Sequence, residues 1–171
     1  MKNTDNLDLS TMDKNNLFHP ITNLKAHQDE EILVIDRGEG IYVYDSKGKK
    51  YLEGLAGLWC TSLGYGVQEL ADAASEQMAK LGYASLFASK SHEPAILLSE
   101  KLMELSPYKS GKVFFGNSGS DANDTQLKLY TYHNNAIGKP NKKKIISRVK
   151  GYHGVTVASA SMTGLPAQHK L

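Results

Sequence analysis

The sequence predicts an α/β chain: a small antiparallel β segment, then the start of a larger α/β domain. Three observations carry this. Apolar runs broken by glycine turns between residues 31 and 52 read as strands and a hairpin. Two stretches with helical spacing follow, residues 67–81 and 93–105. Two short apolar runs, residues 113–115 and 145–149, then flank a third helical stretch. That order fits a βαβ unit with a parallel, buried sheet.

Residues 1–16 are rich in Asn, Asp and Lys without a period and read as a flexible lead. Residues 17–66 form the second part. His19, Pro20 and Ile21 lie in a proline-containing loop. A strand is expected over residues 31–35, closed by the polar run from Arg37 to Gly40. Ile41 to Tyr44 and Lys50 to Leu52 flank the turn Asp45-Ser46-Lys47-Gly48, which makes a hairpin. Residues 54–60 hold two glycines, with Gly64 and Gly66 close by, too many for a stable helix, and suggest backbone packed closely around something. Trp59, the single tryptophan, reads as a core anchor, and Cys60 as a small buried hydrophobe.

The third part is residues 67–171. Val67, Leu70, Ala74, Met78 and Leu81 share one helical face, and Gly82 stops the run. Phe87 sits in the next loop. Pro94 opens a second helix on which Ala95, Leu98, Leu102 and Leu105 align, and Pro107 ends it. The third helix repeats at Ala122, Thr125, Leu129, Tyr132 and Ala136 and stops at Gly138-Lys139-Pro140.

Composition narrows the function classes. The chain has 171 residues with 40% hydrophobic content, enough for a core. Its net charge of +2 comes from interspersed acids and bases, which asks for neither nucleic acid nor an anionic membrane. No apolar run approaches the roughly 20 residues of a membrane helix. The first sixteen residues do not read as a signal peptide. One cysteine excludes an internal disulfide and fits a reducing cytoplasm. The six histidines show no metal-ligand spacing, and none pairs with a cysteine, so no metal is expected; His92 and His133 read as structural.

The chemistry concentrates at residues 112–123. Gly116 and Gly119 let the backbone bend and approach a ligand. Asn117, Ser118 and Ser120 supply short oxygens where a helix begins. Unpaired N–H groups and the dipole make such a start an anion site. The spacing is neither a nucleotide P-loop nor a dinucleotide fingerprint. A capped strand–helix junction and a phosphate cup both fit the pattern. Tyr152-His153, flanked by Gly151 and Gly154, reads on spacing alone as a surface turn.

Taken together, residues 114–124, Ser147-Arg148 and residues 152–156 resemble the class III aminotransferases, closest to the ω-aminotransferase branch. The likeness runs from about His19 to the last residue. It implies the N-terminal part of a fold-type I pyridoxal-phosphate (PLP) enzyme, truncated within its large domain. It implies that Ser118, Gly119 and Ser120 hold the cofactor phosphate, that Tyr152 stacks on the pyridine ring and that His153 sits beside it. Ile21, Leu58, Trp59, Phe87 and Ala88 would line the substrate pocket, with residues 86–88 reaching the site of a partner subunit in a homodimer. The implied substrates are an amine or amino acid and a keto acid or aldehyde. The family's Schiff-base lysine and ring-nitrogen aspartate lie C-terminal of the last motif here, and no lysine in this chain falls on that position. The chain alone is therefore expected to be inactive. A non-catalytic cofactor-binding protein and a decayed homologue are the alternatives. Asp121 stands where the family commonly has Glu, and capping is its expected role.

Overall fold

Alternation along Tyr42-Val43-Tyr44-Asp45 builds the sheet that organises the first half of the chain. In the computed structural model, which describes residues 8–170, helices α1 (Leu9–Asn16) and α2 (Leu24–His27) come first. Strands β1 (Ile35–Glu39), β2 (Tyr42–Asp45) and β3 (Lys50–Leu52) follow in an antiparallel sheet of order β1-β2-β3. Val43 and Asp45 are buried on one face, as a period of two requires. Tyr42 and Tyr44 take the other face under cations: the Arg37 guanidinium lies 3.4 Å from the Tyr44 ring centroid and Lys50 Nζ 3.6 Å from that of Tyr42.

Asp45 ties the hairpin turn. Its carboxylate accepts from Lys47 N at 2.9 Å, Lys49 N at 2.8 Å and the Tyr51 hydroxyl at 2.8 Å. The Tyr51 hydroxyl, then the two backbone N–H groups, hold its pKa below the usual aspartate range against the opposing effect of burial. A carboxyl with a depressed folded-state pKa contributes stability that is complete above its unfolded value and lost as pH falls through the folded one. The near-UV dichroism of the sheet tyrosines is therefore expected to weaken below about pH 4. In Asp45→Asn that acid transition should be smaller. An unchanged transition would assign it to other carboxylates.

Several expectations change. Residues 9–16 form a helix where a flexible lead is expected, because the Asp8 side chain caps it by accepting from Thr11 N at 3.1 Å; residues 1–7 lie outside the described residues. The first strand starts at Ile35 rather than ending there, since the residues that pair with β2 are Ile35, Arg37, Gly38 and Glu39. Residues 54–60 do contain one turn, α3 (Ala56–Trp59), but its hand is left: φ is +49° at Ala56, +58° at Gly57, +60° at Leu58 and +68° at Trp59. Cys60 and Trp59 are exposed rather than buried. Residues 113–115 and 145–149 do not form strands, and their pairing in a parallel sheet is absent among the described residues. A strand exists only through its ladder, and the sole bridge in the second run joins Val149 to Gly164.

Three helices follow the periodicity, α4 (Gln68–Leu81), α5 (Glu93–Leu105) with Pro94 in its first turn, and α6 (Gly119–Ala136); α7 (Val157–Met162) is not among the sequence expectations. The chain divides between Ser85 and Leu86 into two compact units. In neither does the apolar stripe of a helix find full cover. α4 and α5 bury no residue, and Leu70, Met78, Leu98 and Leu105 stand in solvent. Among the described residues Val43 is the buried apolar side chain; the fully enclosed ones are Asn134, Ser159 and Thr163. No helix among the described residues is long and apolar enough to cross a membrane.

Candidate functional site

Helix α6 opens with a reciprocal cap. Ser118 is extended, and its Oγ accepts from Asp121 N at 3.1 Å, while the Asp121 carboxylate accepts from Asn117 N at 3.0 Å. The cap uses the third N–H of the helix and leaves the first two, on Gly119 and Ser120, without an acceptor among the described residues. A side chain on Gly119 would meet open space. Two N–H groups, the positive end of an 18-residue helix and room beside them are what an anion cup requires.

Three long-range hydrogen bonds fasten a second loop to this helix start. The Ser120 hydroxyl accepts from Val155 N at 3.0 Å and keeps its own proton to donate. Asn123 Nδ2 donates to the His153 carbonyl at 2.7 Å. Asp124 Oδ1 accepts from Ser159 N at 3.0 Å, at the start of α7. Gly154 lies between, at φ +128°, and a Cβ there would stand 2.5 Å from both the Ser120 and Ser159 hydroxyl oxygens. Below it, Thr163 Oγ1 accepts from His153 N at 2.9 Å and lies 3.1 Å from the Gly154 carbonyl. This lattice carries Tyr152, whose side chain is 57% exposed, and His153, whose Nε2 is buried without a partner. Ser118, Gly119, Ser120, Tyr152 and His153 thus share one corner of the second unit. The motif alone does not reveal Asn123, Asp124, Ser159 and Thr163, which do the fastening. Their signal is that short polar residues occupy positions in or just after helices that cannot all face solvent.

The residues implied for the pocket lie in three separate segments: Ile21 in a loop, Leu58 with Trp59 in the left-handed turn, and Phe87 with Ala88 in a loop. Backbone strain marks four of the five, with φ of +54° at Ile21, +60° at Leu58, +68° at Trp59 and +53° at Ala88. A β-branched residue such as Ile21 is a genuine outlier there. Such conformations persist where surrounding structure dictates them, and they cluster at functional sites. Trp59 and Phe87 stand 77% and 83% exposed.

Glu53 explains how the left-handed turn is held. Its carboxylate accepts from Leu55 N at 3.0 Å and Gly57 N at 2.7 Å. Left-handed helix costs roughly 1–2 kcal/mol per non-glycine residue. Glu53→Ala is expected to release the turn. Amide exchange at Leu55 and Gly57 should accelerate at least about tenfold, and the fluorescence of the single tryptophan should shift. Glu53→Gln, which keeps one acceptor, should fall between. Equal exchange in all three proteins would show that the turn holds itself.

Comparison with known proteins adds the following. The family model described as aminotransferase class-III matches residues 24–171. The chain is 46% identical to the diaminobutyrate–2-oxoglutarate transaminase of Halomonas elongata over 168 residues, 97% of this chain and 36% of that protein. It is 54% identical to a probable mitochondrial γ-aminobutyrate transaminase 2 of Oryza sativa over 142 residues, 82% of this chain and 29% of that one. Its fold superposes on a thermostable ω-transaminase variant from Pseudomonas jessenii with a TM-score of 0.93 at 54% identity, covering 96% of this chain and 36% of that structure. The Pseudomonas jessenii enzyme in complex with PMP is equally similar, with a TM-score of 0.93. The chain therefore spans about a third of the length of the relatives it matches.

Proposed function

Because the chain belongs to the class III aminotransferases, fold-type I enzymes that use PLP, we propose that the cup at the start of α6 holds the cofactor phosphate of a transaminase. The protein it serves moves an amino group from an amine or amino acid to a keto acid or aldehyde, as a homodimer. The observation that carries the reading is the unpartnered N–H pair of Gly119 and Ser120, fastened by three hydrogen bonds to the loop that presents Tyr152. These residues fit a phosphorylated aromatic group: the cup is open beside Gly119, and the orphaned His153 Nε2 offers a polar contact. The Gly119 and Ser120 N–H groups and the Ser120 hydroxyl would bind the phosphate. Tyr152 would lie against the ring, worth about 0.5–1.5 kcal/mol beyond buried area. Bound PLP supplies an electron sink that acidifies the substrate's reacting carbon–hydrogen bond.

Ile21, Leu58 and Trp59 would line the amine pocket, and Phe87 with Ala88 would contribute to the pocket of a partner subunit. The lone thiol of Cys60 accords with a reducing compartment such as the cytoplasm. The chain has no lysine in the family's cofactor-attaching context, so by itself it is proposed to bind without turnover.

The test uses PMP, which carries no aldehyde and cannot react with surface lysines. Equilibrium dialysis of the chain is expected to show saturable PMP binding, competed by inorganic phosphate. Tyr152→Ala should weaken it roughly 2- to 12-fold. Ser120→Ala should weaken PMP and phosphate alike. Binding that ignores both substitutions would refute the assignment, and transaminase turnover by the purified chain would refute the inactivity.

A further inference from the structure

Helix α1, the loop after it and helix α2 bring together three side chains that the sequence holds far apart. Asp13 projects from α1, His19 from the loop, and His27 is the last residue of α2. His19 Nε2 lies 3.0 Å from both Asp13 carboxylate oxygens, and His27 Nε2 lies 2.9 Å from Oδ1. The rings face each other with centroids 4.4 Å apart at 46°. One ligand atom from each residue falls within 4.8 Å of the others. The cluster is sheltered but not sealed: the His27, Asp13 and His19 side chains are 9%, 15% and 30% exposed.

We propose that Asp13, His19 and His27 form a binding site for one divalent transition cation of the zinc class. Two imidazole nitrogens and one carboxylate oxygen are a donor set that such ions favour over calcium or magnesium. Bonds of about 2.0–2.2 Å put neighbouring tetrahedral ligands about 3.3 Å apart. The hydrogen-bonded pairs therefore need to open by only a few tenths of an ångström. The fourth position is left to water.

In the metal-free chain each Nε2 serves Asp13 as a hydrogen-bond donor. On binding, each ring presents its Nε2 lone pair to the cation and carries its proton on Nδ1. A neutral imidazole thus changes tautomer without releasing a proton. The scaffold is already braced, because Lys14 Nζ donates to the Gln28 carbonyl at 2.7 Å and Gln28 Nε2 donates to the Lys14 carbonyl at 3.1 Å. That brace also turns the Lys14 ammonium toward a carbonyl. Occupancy would pin α1 to α2 and with it the loop bearing Ile21.

The whole chain, stripped with a chelator, is titrated with Co²⁺ and then Zn²⁺. One equivalent of Co²⁺ should bind with the visible d–d bands of a four- or five-coordinate ion, and Zn²⁺ should displace it. His27→Ala and Asp13→Asn should each lose at least tenfold in affinity, while His133→Ala should not. Should those substitutions unfold the helix pair, nitrogen shifts of the histidine rings in the unaltered chain give a second readout. Zn²⁺ should then place the His19 and His27 protons on Nδ1. Binding that persists in His27→Ala, no stoichiometric binding, or ring shifts confined to other histidines would each overturn the proposal.

Discussion

Gly154→Ala is expected to abolish retention of PMP and to destabilise the second unit by about 3–5 kcal/mol. Two effects add. The residue sits at φ +128°, a conformation that side chains rarely adopt. The new methyl would also stand 2.5 Å from two hydroxyl oxygens and 2.9 Å from Ser120 Cα. Neither hydroxyl can yield cheaply, since Ser120 Oγ holds Val155 N and Ser159 Oγ lies 2.6 Å from the Thr156 hydroxyl. The loop must therefore part from α6, carrying Tyr152 away from the cup. Gly54→Ala is the control, because a Cβ there meets nothing within 4 Å and its φ is not positive. Urea midpoints and PMP dialysis on both variants check this. A Gly154→Ala protein that keeps its midpoint and its ligand would mean that the loop and the helix are not clasped as described.

Thr163→Val should come next, at about 2–3 kcal/mol, although the two side chains have nearly the same shape. Thr163 is 1% exposed, and its hydroxyl receives the His153 N–H and lies within 3.2 Å of the Gly154 and Ser159 carbonyls. Valine would leave that N–H without its acceptor, beside a side chain that is 1% exposed. Thr163→Ser keeps the oxygen and loses a methyl, which costs about 1 kcal/mol. The ranking wild type, serine, valine in midpoint, with amide exchange at His153 rising most in the valine variant, is the expected outcome. The reverse order of the two substitutions would make the methyl, not the hydroxyl, the important group.

The sequence discloses what is local. The α4 and α5 stripes repeat within a few residues, the Pro94 and Ser118 starts are single-residue signals, and the Asp45 turn is written in four consecutive residues. Membership of the aminotransferase family is legible in the motif around Gly119 and the Tyr152-His153 turn. What failed was non-local. Residues 113–115 and 145–149 have strand-forming side chains, but a ladder needs a neighbour, and neither run has its own among the described residues. The glycines at 54 and 57 announce a tight backbone, yet the hand of that turn depends on Glu53 reaching Gly57 N. Likewise, seven residues separate His19 from His27, and only the turn between α1 and α2 makes them neighbours of Asp13.

The innermost side chains of the second unit are an amide and two hydroxyls rather than hydrocarbon. No apolar side chain of this unit is enclosed among the described residues, and hydration of polar groups on unfolding lowers heat capacity instead of raising it. The increment should fall well below the ordinary value of about 12–15 cal/mol/K per residue. The stability of this unit would then trace a shallow line with temperature instead of a dome, with its cold limit pushed far below freezing.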